Sequence, residues 1–356
     1  MSRGIHPVRV AWQKQQFASD NYSGMCPEAV EALIEVNQNH EPSYGEDRWT
    51  QEVCEGFRDF FEKDCEVFFV FNGTAANSLS LAHLCRSYHS IICQSYAHLE
   101  TDECGAPEFF SHGSKVLQCD GPDGKLDPRG IVELVEKRSD IHYPKPQIVS
   151  VTQSTELGTV YDQDELLAIS KVAKGYGLKM HMDGARFFNA LATLKCAPSK
   201  ITHEAGVDVL CLGGSKNGLG LGDAVIFFNK ADAHEFAYRC KQAGQLASKM
   251  RFISAQWLGL LREDHWKKHA THANESAAFL EKELSKCKHL KILFPRQANA
   301  VFVQMPETVV EQMHLKGWKF YGFIGAGGAR LMCSWDTKRE TIKSFVADLK
   351  NLLEKV

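Results

Sequence analysis

No apolar run in this chain approaches the roughly 20 residues that span a bilayer; the longest are on the scale of VFFVF at 67–71, and no membrane anchor is expected. Positive charge is not in excess either. The 41 Lys and Arg stand against 44 Asp and Glu, for a formal net charge of -3, so the basic stripe that marks a nucleic-acid-binding domain is missing. Twelve cysteines are present, but they are scattered, never form a CxxC pair, and follow no visible secretory leader. A disulfide framework is therefore not expected, and a reducing cytosolic setting is. The sequence shows no internal repeat and no low-complexity tract. Its 44% hydrophobic and 24% charged content is that of a globular chain rather than a disordered one. At 356 residues there is room for two domains, or for one large domain with an appendage.

What the sequence does contain is an alternation of two periods. PEAVEALIEVNQN (27–39) repeats its apolar positions at helical spacing, a second helix is expected over 52–63, and EVFFVF (66–71) is a strand that breaks at NGT. Further strands are expected at SIICQ, KVLQC, QIVSVTQ, the run ending at Asp183, VDVLCLGG and AVIFF, with helices at 128–138, 162–177 and 187–194 between them. Such alternation predicts an α/β fold, with a mostly parallel central sheet flanked by helices. After Arg251 the texture changes to one long charged helical stretch, then short strands and a final helix. This suggests a large domain over 1–250, including an N-terminal arm, and a smaller C-terminal α+β domain over 251–356.

In sheets of this kind ligands collect where strands deliver their carboxyl ends. Asp183, Lys216, Gly73 and Thr74 all fall just after expected strands. Pyridoxal 5'-phosphate chemistry needs a lysine for the aldehyde, a carboxylate for the pyridine nitrogen, and a helix N-terminus for the phosphate. Lys216 offers the first, Asp183 the second, and the NGTAAN turn at 72–77 the third, with Gly73 and Thr74 as donors. His98, or an aromatic residue near it, could lie against the ring.

Those segments, taken in order, carry a family likeness. YGED (44–47), FNGTAAN (71–77), AHLETDECGAPEF (97–109), HMDGARFFNAL (181–191) and LGGSKNGLG (212–220) resemble the L-threonine aldolases of low-specificity type. These belong to the aspartate aminotransferase-like, fold type I group of pyridoxal phosphate enzymes. The match runs from about residue 17 to 336. The resemblance implies that Lys216 holds the cofactor, Asp183 pairs with its ring nitrogen, His98 stacks on the ring, and Gly73 and Thr74 bind phosphate. It further implies that Arg186 and Arg330 hold the substrate carboxylate, with Ser19 near the same group. Arg251 would reach a neighbouring subunit's phosphate, and Tyr44 would lie near the shared site of a homotetramer built from dimers.

The implied reaction breaks the Cα–Cβ bond of L-threonine or L-allo-threonine, giving glycine and acetaldehyde. Another β-hydroxy amino acid, a β-elimination, or cofactor binding without catalysis would fit the same scaffold. The acceptor of the hydroxyl proton stays open among His98, Glu103 and water. One departure bears on it: TQSTELG (152–158) has no histidine where several relatives carry one. GGSKNGLGLG lacks both the P-loop and the dinucleotide spacing. The HxD pair of His181 and Asp183 has no companion ligands, so no metal is expected.

Overall fold

The computed structural model describes residues 16–322 and 328–354. Helices α1 (Pro27–Val36) and α2 (Arg48–Phe61) precede β1 (Glu66–Val70), and α3 (Gly73–Leu84) leads to β2 (His89–Cys93). Short helices α4 (His98–Thr101) and α5 (Ala106–Phe110) lead to β3 (Lys115–Gln118). Next come α6 (Pro128–Glu136), β4 (Lys145–Thr152), α7 (Gln163–Gly175), β5 (Lys179–Gly184), α8 (Phe187–Leu194), β6 (Val209–Leu212) and β7 (Asp223–Phe227). After α9 (Phe236–Gln242), α10 (Arg251–Ser254), α11 (Gln256–Leu261) and α12 (His265–Leu284) follow β8 (Lys291–Ile292), β9 (Ala300–Gln304) and α13 (Glu307–Leu315). The chain closes with β10 (Tyr321–Gly322), β11 (Gly328–Met332) and α14 (Arg339–Leu353).

Local chemistry sets several of these boundaries. Asp47 caps α2 by accepting from the Thr50 amide at 2.8 Å, so the helix starts four residues before the expected 52. Asp162 and Glu165 form a capping box at the start of α7, each side chain accepting from the other's backbone. β5 and β7 are buried along almost their whole length, as strands covered on both faces must be. The long helical stretch expected after Arg251 is broken: Glu263 and Asp264 adopt left-handed backbone angles, φ 52 and 54, and separate α11 from α12.

The large sheet runs β1-β7-β6-β5-β4-β2-β3. All of its strands are parallel except β7, which is antiparallel to both of its neighbours. Helices cover both faces. Phe57, Phe61, Phe187, Phe188 and Trp257 pack in the core on one side, and Ala76, Leu79, Phe236 and Cys240 on the other. Phe57 and Phe61 are both fully buried, each worth about 1.5–3 kcal/mol by area removed from water. A second, antiparallel sheet runs β10-β11-β9-β8 over a separate core with α14. In packing, α12 belongs to both: Trp266 and Ala270 lie in the first core, Ala277 and Leu280 in the second.

The N-terminal segment ties the two sheets together. Phe17 sits in the second core, 5.0 Å from the Phe345 ring, and its carbonyl accepts from the Met332 amide. Residues 18–21 thereby run from the edge of β11 toward the ends of β5 and β6. All twelve cysteines are free.

Candidate active site

Four chain segments meet at one edge of the large sheet. β5 ends at Asp183 and Gly184, and β6 leads into a single turn at Ser215–Asn217 that carries Lys216. Gly218 closes this turn at φ +109, with Cys26 so near that a Cβ there would lie 2.9 Å from the Cys26 Cβ. β1 ends at Val70 and leads into α3, while antiparallel β7 begins at the same edge with Asp223 paired in register to Val70. These ends surround a cavity of about 220 Å³ whose wall includes Gly73, Thr74, His98, Asp183 and Lys216. Five of the residues singled out from the sequence are thus brought together.

At the acidic end, Asp183 is 4% exposed. Its Oδ2 accepts from Asn77 Nδ2 at 3.0 Å and its Oδ1 from the Ala185 amide at 3.0 Å. Asn77 Nδ2 also donates to Glu103 Oε1 at 2.8 Å, and the same Oε1 lies 2.8 Å from His98 Nδ1. One side-chain amide therefore bridges two carboxylates, and the second of these engages the histidine. Burial pushes the Glu103 carboxyl above its ordinary value, against the hydrogen bonds from His98 and Asn77. The hydrogen bond to Glu103 raises the His98 imidazole above its ordinary value, against burial. Glu103 Oε2 is buried without a partner among the described residues.

At the opposite end, Asn72 caps α3 by accepting from the Ala75 amide at 2.9 Å, and the Asn72 carbonyl takes the Ala76 amide. The N–H groups of Gly73 and Thr74 have no intrahelical acceptor, as first-turn groups of a helix never do. They form, with the helix dipole, a place for an anion. Gly73 also leaves this floor open: a Cβ there would stand 3.2 Å from Asp223 Oδ2.

Arg186, Arg330 and Ser19 flank this centre and do not form its wall. Arg186 forks onto Asp20, with Nε to Oδ2 at 2.7 Å and Nη2 to Oδ1 at 2.9 Å, both side chains out of water. Burial favours the neutral arginine, but the Asp20 carboxylate outweighs it and holds the guanidinium above its ordinary value. Burial likewise works to raise Asp20, and Arg186 reverses it to a net lowering. Asn299 Nδ2 donates a third hydrogen bond to Asp20, at 3.1 Å. Arg330 lies in β11, its Nη2 3.5 Å from the Ala18 carbonyl, and Ser19 accepts from the Asn21 amide at 3.2 Å. Tyr44 and Arg251 belong to a different locality. Tyr44 is half exposed beneath the Lys241 ammonium, and Arg251 donates to the carbonyls of Gln38 and Asn39.

The sequence reading missed three residues. Asn77 ends the NGTAAN turn, Asp20 follows Ser19, and Asp223 precedes the apolar AVIFF run. Only for Asp223 was there a local signal, a carboxylate at the head of the otherwise apolar DAVIFF.

One primary amine, one buried carboxylate and one unsatisfied helix N-terminus around a single cavity are the donor set that pyridoxal phosphate requires, and the residues fit that group. With helices on both faces of the mostly parallel sheet and a small antiparallel sheet beside it, they define a fold type I pyridoxal phosphate enzyme. Residues 16–308 match the beta-eliminating lyase family. A low specificity L-threonine aldolase of Pseudomonas sp. is 57% identical over 341 residues, covering 96% of this chain and 99% of its own. A Pseudomonas aeruginosa protein of the same description is 56% identical, covering 94% and 97%. Among solved structures, the threonine aldolase of Leishmania major superposes with a TM-score of 0.89 at 27% identity, covering 95% of this chain and 99% of that one. The chain belongs to the beta-eliminating lyase family, on the branch of the low specificity L-threonine aldolases.

Proposed function

We propose that this protein cleaves L-threonine and L-allo-threonine between Cα and Cβ, releasing glycine and acetaldehyde. The observation that carries this reading is the meeting of Lys216 and Asp183 in one cavity at the start of α3, in a chain 57% identical to a low specificity L-threonine aldolase. Bound pyridoxal phosphate supplies an electron-poor ring that takes up the electron pair of the broken bond.

The remaining work falls to the chain's own side chains. Lys216 holds the aldehyde end of the cofactor. Asp183, fixed by Asn77 and the Ala185 amide, keeps the pyridine nitrogen protonated, since a nearby carboxylate favours the charged form. Gly73, Thr74 and the dipole of α3 hold the phosphate. His98 lies against the ring and receives the hydroxyl proton: with Nδ1 engaged by Glu103, Nε2 is the atom left to exchange it. Glu103 fixes the tautomer and steadies the charge. Arg330 and Arg186 bind the substrate carboxylate, Arg186 through the part of its guanidinium that Asp20 leaves uncovered, with Ser19 beside them.

Tyr44 and Arg251, neither of which lines the cavity of its own chain, act across a subunit boundary in a homotetramer built from dimers. The division into units over 1–250 and 251–356 is proposed on the same family pattern, with α12 spanning both cores. Among the described residues no helix is long and apolar enough to cross a membrane, and we assign the protein to the cytoplasm.

Product analysis tests the reaction. Purified protein with pyridoxal phosphate and L-threonine should give glycine and acetaldehyde in equal amounts. Ammonia with 2-oxobutanoate would replace this reading by β-elimination.

A further inference from the structure

Asp223 is a carboxylate at the place where the site must hold an anion. It is 8% exposed and forms part of the cavity wall. Its Oδ1 accepts from the Gly214 amide at 3.0 Å, two residues before Lys216. Its Oδ2 reaches to 3.2 Å from the point where a Gly73 Cβ would stand, at the first residue of α3. The carboxyl group therefore lies between the lysine turn and the helix start whose free N–H groups bind the phosphate in the function proposed above. This inference rests on that assignment. A phosphate dianion held at that helix start and an ionised Asp223 carboxylate, itself 8% exposed, repel one another.

The charges around Asp223 give little relief. Lys216 faces it with one ammonium, and Asp183 on β5 faces it with a second carboxylate. From α3 the cavity receives Gly73, Thr74 and Asn77, none of them charged, and β1 pairs Val70 with Asp223. One cation is thus set against two carboxylates before any phosphate arrives, with His98 as the further titratable group in the wall. Burial has already pushed the Asp223 carboxyl up to about 6, with Asp183 and against the Gly214 and Ser215 amides and Lys216.

We propose that Asp223 is the acid form in the cofactor-bound protein, donating its proton in a hydrogen bond to the cofactor phosphate, so that phosphate binding takes up one proton. The side chain changes from the acceptor that the lysine turn uses to a donor on its cavity-facing oxygen. Oδ1 keeps its bond from Gly214 throughout. A helix N-terminus supplies N–H donors in fixed number; Asp223 adds one that is available only when protonated.

The test is the affinity of the full-length protein for pyridoxal phosphate as a function of pH, wild type against Asp223→Asn. The amide keeps the shape and donates without titrating, and the ionisation of the free cofactor, common to both proteins, cancels in the ratio. Expected is a ratio of dissociation constants, wild type over variant, that rises toward about tenfold per pH unit above about 6. Parallel pH dependences, or a variant weaker by one constant factor at every pH, would overturn the proposal, since the anion would then be what the site uses. A difference infrared spectrum of wild type on adding pyridoxal phosphate gives a reading that needs no Asp223 variant. A new protonated-carboxyl band that persists in Glu103→Gln supports the proposal; its absence overturns it. Wild type that fails to bind pyridoxal phosphate at any pH would sink the phosphate-cup assignment itself, a separate failure.

Discussion

Removing the Asp20 carboxylate should cost far more than a surface ion pair is worth. The Arg186 side chain is 7% exposed and that of Asp20 0%, so solvent screens neither charge. Asp20 accepts two hydrogen bonds from Arg186 and one from Asn299. Asp20→Ala leaves a buried guanidinium without its counter-charge, a loss of about 3–5 kcal/mol. Asp20→Asn keeps an oxygen for one donor and should lose less. Replacing both partners with apolar residues, Asp20→Leu with Arg186→Met, removes the desolvation cost as well as the attraction. That double variant should regain most of the stability while remaining unable to bind substrate carboxylate. Urea unfolding of the full chain at equal cofactor saturation measures the cycle, because ligand binding shifts apparent stability. The pH dependence has a definite sign. Folded Asp20 titrates below its unfolded value of about 3.9, so the pair's contribution is complete at neutral pH and is lost as pH falls through the lowered value. An Asp20→Ala loss under about 1 kcal/mol, or a double variant as unstable as the single one, would refute the assignment of a buried pair.

The other predictions concern chemistry. Lys216→Ala should abolish both the absorption band of the lysine-linked cofactor and turnover; a variant keeping either removes the lysine from its role. Glu103→Gln removes the carboxylate charge behind the hydrogen bond that raises His98. The activity limb that requires a neutral imidazole, rising with pH, should therefore move to lower pH in a kcat/KM profile, and an unmoved limb would exclude His98 as proton acceptor. Arg330→Ala should raise KM for threonine about tenfold or more, the value of a charge-assisted contact, and leave the cofactor spectrum intact. A change in stability alone would make this arginine structural.

The alternation of strands and helices was legible because buried strands are written as β-branched and aromatic runs and their boundaries as caps. Where the reading slipped, the cause was a conformation that residue type does not announce. Glu263 and Asp264 take left-handed angles in a stretch without proline, and the break lets α11 pack on α1 and α12 on α8. Trp257 and Trp266, which follow the change in composition after Arg251, pack in the same core as Phe57 and Phe188.

At the site, Lys216 and Asp183 were visible because each ends a strand of a mostly parallel sheet, where the carboxyl ends point one way. That same rule concealed Asp223. β7 runs against its neighbours, so its first residue, not its last, arrives at the active edge, opposite Val70 of β1. A search confined to strand ends passes over it. Asp20 was hidden for another reason: it lies 166 residues from Arg186, and no local pattern ties an acid in an N-terminal segment to an arginine beyond β5. Such pairs emerge only from topology. The ends of parallel strands can be read from sequence, but the charges that balance them come from elements running the other way or from far along the chain. Thus Lys216 and Asp183 stand out in the sequence, while Asp20, which pairs with Arg186, Asn77, which bridges Asp183 and Glu103, and Asp223, which takes the Gly214 amide, gain their partners only from the fold.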